Sequence, residues 1–189
     1  MEYPGNIKKK KPKNIIYGNR GMDLECCLNI ANNYYAENDI AFIYKKPTPI
    51  GIVDTGYENN NYIIKKAYFK EPSTLDYNGL YKGRYIEFEA KETKNKTSFP
   101  LANIHQHQIE HIKNILKHDG IVFIIIKINN NFYLLKGTDF LYYINNNERK
   151  SIEFKFIEEK GFILKDTING LDYLSVVNKI YFGGISWKR

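Results

Sequence analysis

The stretch from Thr74 to Lys91 brings together an isolated Asp76 and the triplet Glu89-Ala90-Lys91. From Arg84 onward the residues alternate. Ile86, Phe88 and Ala90 take one face of a predicted strand, and Glu87, Glu89 and Lys91 take the other. Glu89 and Lys91 therefore project side by side. Asn78-Gly79 and Lys82-Gly83 are both turn signals, and a hairpin through the Asn-Gly region would bring Asp76 back beside them. Carboxylates suit Mg²⁺, a hard ion that takes oxygen ligands and keeps several waters; Mn²⁺ is a substitute. Such an ion makes a bound water nucleophilic and offsets charge on a phosphate, and a neighbouring lysine stabilises the charge that builds there. Metal-assisted phosphodiester cleavage is one reading of these residues. As a bare pattern, Glu-x-Lys on a solvated strand reads first as a surface ion pair.

The elements around this stretch must position it. Asp23 to Asn38 reads as a helix, with Leu24, Cys27, Leu28, Ala31 and Tyr34/Tyr35 at helical spacing. Ile40 to Tyr44 reads as a short strand. In Lys45-Lys46-Pro47-Thr48-Pro49 the prolines forbid a central strand. Ile50–Val53 and Tyr62–Phe69 then read as strands around a polar tip, a hairpin that leaves the body. Residues 92–98 form a polar, basic loop that closes at Pro100. Ala102 to Lys117 is a second helix, with Ile104, Ile109, Ile112, Ile115 and Leu116 on one face. Gln108 lies inside that face, where an amide needs partners, and is expected to point toward the sheet. His107 and His111 stand one turn apart at or beyond its edge; with no matching Cys or further His pair, they read as surface histidines rather than a zinc site. Ile121–Ile128 reads as a strand buried on both faces, turned by Asn129-Asn130-Asn131 into Phe132–Leu135. Thr138–Ile144, Phe154–Lys160 and Gly170–Phe182 read as helices. There is no internal repeat, glycine-rich phosphate loop or legible Ser or Cys triad.

Composition sets the frame. The 189 residues fit one domain, and 43% hydrophobic residues are ample for a core. Aromatics are high at 15%, with 16 Tyr. The formal charge of +7 favours a polyanionic partner. Residues 1–14 hold five Lys and one Glu and are expected to be a disordered basic arm, either solubilising or in contact with phosphate. Arg20, in the loop before the first helix, is a phosphate contact or an exposed charge. Residues 184–189 read as a loose tail. No apolar run approaches the ~20 residues of a membrane span, and no apolar signal segment opens the chain. Cys26 and Cys27, adjacent in a helical pattern, fit a reducing cytoplasm.

A run of motifs, in order over roughly residues 15–183, resembles one family: the RecU-type Holliday-junction resolvases. The carrying segments are Asn19-Arg20-Gly21-Met22, Lys45-Lys46-Pro47-Thr48-Pro49, Ala67-Tyr68-Phe69-Lys70, Asp76-Tyr77-Asn78-Gly79 and Tyr81-Lys82-Gly83-Arg84-Tyr85. To these add Phe88-Glu89-Ala90-Lys91-Glu92-Thr93-Lys94-Asn95-Lys96-Thr97-Ser98-Phe99-Pro100 and His107-Gln108-Ile109-Glu110-His111.

The resemblance implies an α/β nuclease fold of the PD-(D/E)xK superfamily. This is a mixed, restriction-endonuclease-like β-sheet flanked by helices, with a protruding hairpin stalk at about residues 47–69, used as a homodimer. It implies that Thr74, Asp76, Glu89 and Gln108 arrange Mg²⁺ and that Lys91 stabilises the transition state. Lys45 and Phe69 fall where the family uses a basic and an aromatic residue near DNA. Lys46, Lys70, Arg84, Lys94 and Lys96 are further candidate DNA contacts, with Arg20. The tip, Gly56 to Asn61, carries Glu58 and no Lys or Arg, a departure from basic tips in relatives. The implied activity is resolution of four-way DNA junctions by paired nicks that leave 5′-phosphate and 3′-hydroxyl ends. A RecA-type recombinase is a further implied partner. Two other readings stay open: a restriction-type duplex endonuclease, and a non-catalytic DNA-binding or recombinase-regulating protein.

Overall fold

The alternating stretch becomes the middle of a mixed sheet. A computed structural model of the chain describes residues 23–70 and 74–183. The basic arm, Arg20 and residues 184–189 lie outside the described residues. In chain order the elements are α1 (Leu24–Glu37), β1 (Phe42–Lys45), β2 (Ile50–Glu58), β3 (Asn61–Phe69), β4 (Tyr77–Tyr81), β5 (Arg84–Glu92) and β6 (Ser98–Pro100). After a 3-10 turn at Leu101–Asn103 come α2 (Gln106–Lys117), β7 (Ile121–Ile128), β8 (Asn131–Lys136), α3 (Gly137–Asn146), β9 (Ser151–Glu153) and α4 (Phe154–Lys160). The last are β10 (Phe162–Ile163), β11 (Lys165–Thr167), β12 (Gly170–Asp172) and α5 (Leu174–Tyr181). Six strands form one sheet in the order β1-β4-β5-β7-β8-β10. β5 and β7 run parallel, and the other neighbours are antiparallel.

β7 is apolar throughout its centre because both of its faces are covered. Ile121, Phe123 and Ile125 pack with Leu28 and Ala31 of α1 and Leu174 and Val177 of α5. Val122, Ile124 and Ile126 point the other way, into Ile112 and Ile115 of α2, Phe140 of α3 and Ile157 of α4. β5 keeps the same alternation with one difference. Ile86 and Phe88 join the α1/α5 layer, while Glu87 and Glu89 on the opposite face are both 0% exposed. Burying two acids on a central strand is costly unless something pairs with them.

Ring packing fixes the register that matters for these acids. Tyr77, Phe88 and Phe123 are partners across β4, β5 and β7. Their rings stack in a row, with centroids 4.8 Å apart at each step. Asp76 precedes Tyr77 and Glu89 follows Phe88. The row therefore holds the two carboxylates at neighbouring places on the sheet.

The hairpin that returns Asp76 to Glu89 turns at Lys82-Gly83, not at Asn78-Gly79. Both turn residues are left-handed, with φ of 49° and 78°, the backbone that matches a two-residue turn to strand twist. Gly79 lies inside β4, opposite both Ile43 and Ile86. A Cβ there would stand 2.0 Å from the Phe42 carbonyl oxygen, so this glycine serves close approach of β1. Two predicted helices also change. Leu101–Asn103 is a separate turn before α2, and Gly170–Asp172 is a strand paired with β11, so α5 starts only at Leu174.

β2 and β3 pair with each other and join no other strand. Of their residues only Gly51 is buried. Asn59 and Asn60, with φ of 48° and 63°, make the tip, and β2 extends well past the predicted Val53. Among the described residues, no helix is long and apolar enough to cross a membrane.

Candidate active site

Asp76 and Glu89 meet through backbone as well as side chain. The Asp76 N–H donates to Glu89 Oε2 at 3.1 Å, and Asp76 Oδ2 accepts from the Ala90 N–H at 3.4 Å. Lys91 Nζ stands 2.6 Å from Glu89 Oε1. Lys91 is thus the partner of this fully buried carboxylate oxygen. Burial, then the charge of Asp76, push the Glu89 carboxyl up to about 7, against the pull of Lys91. A cleft of about 260 Å³ opens beside Asp76, lined also by Glu25, Lys45, Ala90 and Glu92.

These residues fit a hard divalent cation. The donors are carboxylate oxygens. They meet in a buried place, where burial and the charge of Asp76 both raise the cost of ionising Glu89. A cation between them would remove both penalties. In its absence Glu89 works against the fold. Its folded-state pKa is raised, so ionisation destabilises the protein as pH rises from the ordinary carboxylate range through about 7. Glu89→Gln keeps an oxygen for the Asp76 N–H and removes the charge. It is expected to stabilise the metal-free protein by on the order of 1–3 kcal/mol at pH 8 and by nearly nothing at pH 4. Urea midpoints at the two pH values check this; an equal effect at both would show that the charge of Glu89 is not the cause.

Glu87, two residues before Glu89, was not singled out by sequence reasoning. It is held by four groups. Lys46 Nζ, the Leu75 N–H at 3.0 Å and His111 Nε2 at 3.0 Å meet Oε1, and the Tyr85 hydroxyl donates to Oε2. Burial alone would raise its pKa, but the bonds from Lys46, Tyr85 and His111 outweigh burial and hold it below the usual carboxylate value. The expectation that His111 is a plain surface histidine is therefore corrected: it reaches from α2 to a buried acid. The available signal was that Glu87 shares its strand face with Glu89 on a strand flanked by apolar neighbours.

The other predicted residues divide into three sets. Thr74 is half-buried at the start of the loop that carries Asp76. Gln108 is buried in the first turn of α2, and its Oε1 accepts from the His105 N–H at 2.9 Å. That side chain caps the helix while facing inward, as expected. His111, three residues on, shares its face. Of the predicted DNA contacts, Lys45 pairs with Glu25 at 2.6 Å, and Lys46 is turned inward onto Glu87. Phe69 is 81% exposed, and Lys70 is exposed at the hairpin base, its N–H bonded to the Pro49 carbonyl at 3.0 Å. Lys94 and Lys96 are exposed beside a cleft shared with Lys127 and Asn129. Arg84 is at the opposite end of β5 from Glu89. Its guanidinium lies over Tyr181 and Phe182 and donates to the Asp119 carbonyl.

Comparison with known proteins identifies the family. The family model described as Recombination protein U matches residues 19–179. A Bacillus cytotoxicus protein named Holliday junction resolvase RecU is 50% identical over 182 residues, covering 93% of this chain and 91% of that protein. The protein of that name from Bacillus subtilis (strain 168) is 49% identical, covering 94% and 87%. The one from Geobacillus sp. (strain WCH70) is 49% identical, covering 96% and 98%. With a matching family model over most of its length and near-full-length relatives at half identity, the chain belongs to the RecU family.

Proposed function

We propose that this protein is a divalent-metal-dependent endonuclease that resolves four-way DNA junctions by paired nicks, with Mg²⁺ as its ion. The observation that carries this is the meeting of Asp76, just before β4, with the buried Glu89 and Lys91 of the central strand β5. Relatives named as Holliday junction resolvases supply the substrate class. Asp76 and Glu89 would hold the ion, and on the family likeness Thr74 and Gln108 would add neutral oxygens. Bound there, the ion would make a water nucleophilic and offset phosphate charge. Lys91, whose ammonium stands beside Glu89, would stabilise the charge that builds on the phosphoryl oxygens. Phe88 and Tyr77 form the apolar floor that fixes the acids.

Paired nicking calls for two active sites related by a two-fold axis, hence a homodimer. An uncovered apolar row supports this. Phe42, Leu80 and Tyr85 are in register across β1, β4 and β5, and are 67%, 54% and 41% exposed. The exposed hairpin fits the role of a stalk that enters the junction centre, with Phe69 at its base. A RecA-type recombinase is a further partner on the family likeness alone, and a DNA substrate and two free cysteines support a cytoplasmic site of action. The deciding experiment is cleavage of a synthetic mobile junction with Mg²⁺ or Ca²⁺ on a denaturing gel, with linear duplex as competitor. Symmetric nicks in Mg²⁺ that duplex does not suppress support the reading; no nicks in Mg²⁺ or Mn²⁺ would replace it with the non-catalytic one.

The basic arm contributes affinity rather than chemistry in this reading. Each phosphate neutralised by a lysine releases counterions, with a slope near −0.9 per contact in log affinity against log salt. Deleting residues 1–13 is expected to flatten the salt dependence of junction binding and to leave the rate at saturation intact. Titrations at several salt concentrations measure the slope, and an unchanged slope would make the arm a bystander.

A further inference from the structure

We infer that Glu87 is a positioning residue of the active site: its buried carboxylate holds the backbone at Leu75 and so sets Asp76 and Thr74 against Glu89. The inference rests on the metal-dependent reading above and adds a residue to it. β5 offers two acids on one face, and the loop before β4 docks onto both in step. The Leu75 N–H donates to Glu87 at 3.0 Å, and the next N–H, of Asp76, donates to Glu89 at 3.1 Å. The two acids thus read the same loop as a two-rung ladder, with Asp76 on the second rung. The Leu75 side chain is 2% exposed, so this segment is anchored by packing in one direction and by Glu87 in the other.

The remaining partners of Glu87 come from three further places around the site. Lys46 follows β1, and its own N–H donates to the Asp76 carbonyl at 2.8 Å. His111 comes from α2, one turn beyond Gln108. Tyr85 lies two residues earlier on the same strand face. An acid that served only to neutralise Lys46 would not need 0% exposure or a backbone N–H from the loop that carries a catalytic carboxylate. Partners that orient metal ligands from behind typically shift metal affinity or activity by about 10–100-fold when removed.

The test uses the full chain. Mn²⁺ binding is measured by electron paramagnetic resonance without DNA. Junction affinity is measured in Ca²⁺, and the single-turnover rate is measured against Mg²⁺ concentration. Glu87→Ala is expected to weaken Mn²⁺ binding and lower the saturated rate by about 10–100-fold each, with junction affinity unchanged. Glu87→Gln, which keeps an oxygen toward the Leu75 N–H but no charge, is expected to recover most of the Mn²⁺ affinity. Should the alanine variant fail to fold, Glu87→Met fills the same space without an oxygen and takes its place. Wild-type Mn²⁺ binding in the oxygen-free variant, or a defect confined to junction affinity, overturns the inference. So does a glutamine variant as weak as the alanine one, which would make charge and not the Leu75 bond the cause. A wild-type protein that binds no Mn²⁺ overturns the metal-dependent reading itself, and this inference with it.

Discussion

Asp76→Asn is expected to give a folded protein that binds a four-way junction and does not nick it. The substitution changes almost no volume. The Asp76 N–H that bonds Glu89 is backbone and stays, and an amide oxygen can still accept from the Ala90 N–H. The Tyr77–Phe88–Phe123 row is untouched. Asp76 also raises the cost of ionising Glu89, so its neutralisation relieves a repulsion and the fold should hold. One negative charge leaves a surface that must approach phosphate, so junction affinity should hold or rise. Cleavage should collapse, because a neutral amide is a poorer ligand for a hard ion and the water is no longer activated. A gel shift beside a denaturing gel, at one protein concentration and with wild type as control, reads both outcomes. Nicking by Asp76→Asn at the wild-type rate would show that the site has been misplaced.

Lys91→Ala should cut the single-turnover rate by about 10²–10³, the scale of losing one donor aimed at developing charge. Junction affinity should fall far less, since the chain carries 28 Lys and Arg. The structure adds a second consequence. Lys91 is the cation beside a fully buried carboxylate, so its loss removes a charge that favours ionised Glu89 and leaves the opposing charge of Asp76. The Mg²⁺ concentration needed for half-maximal rate should therefore change as well as the rate at saturation. A metal titration under single-turnover conditions separates the two. Near-full activity at all Mg²⁺ concentrations would remove Lys91 from the mechanism.

The central strands were legible because periodicity and burial agree there. Ile121–Ile128 is apolar on both faces and sits between layers of helices. The alternation from Arg84 correctly sorted Phe88 from Glu89. What failed is what local pattern does not encode. Asn-Gly is the stronger turn signal, yet Gly79 is needed for the approach of β1, and that neighbour is distant in sequence. Strands β6, β9, β10, β11 and β12 are two or three residues long, too short for any period. Glu87 looked like the wet side of a strand, because its partners come from residues 46, 75 and 111. Lys46 looked like a free cation for the same reason. In both cases the missing information is a tertiary contact, not a propensity.

The hairpin β2–β3 has one consequence for how this protein meets its substrate. It has backbone pairing and almost no interior, and a lone two-stranded ribbon is marginal in water. Its local opening free energy must lie well below that of β7, where every centre residue is enclosed. The body is therefore the stiff part of the described residues and the hairpin the pliant part. If the hairpin is the stalk proposed above, part of the recognition energy goes into ordering it, which trades raw affinity for discrimination. A shape that does not reward the ordered hairpin is released sooner than one that does.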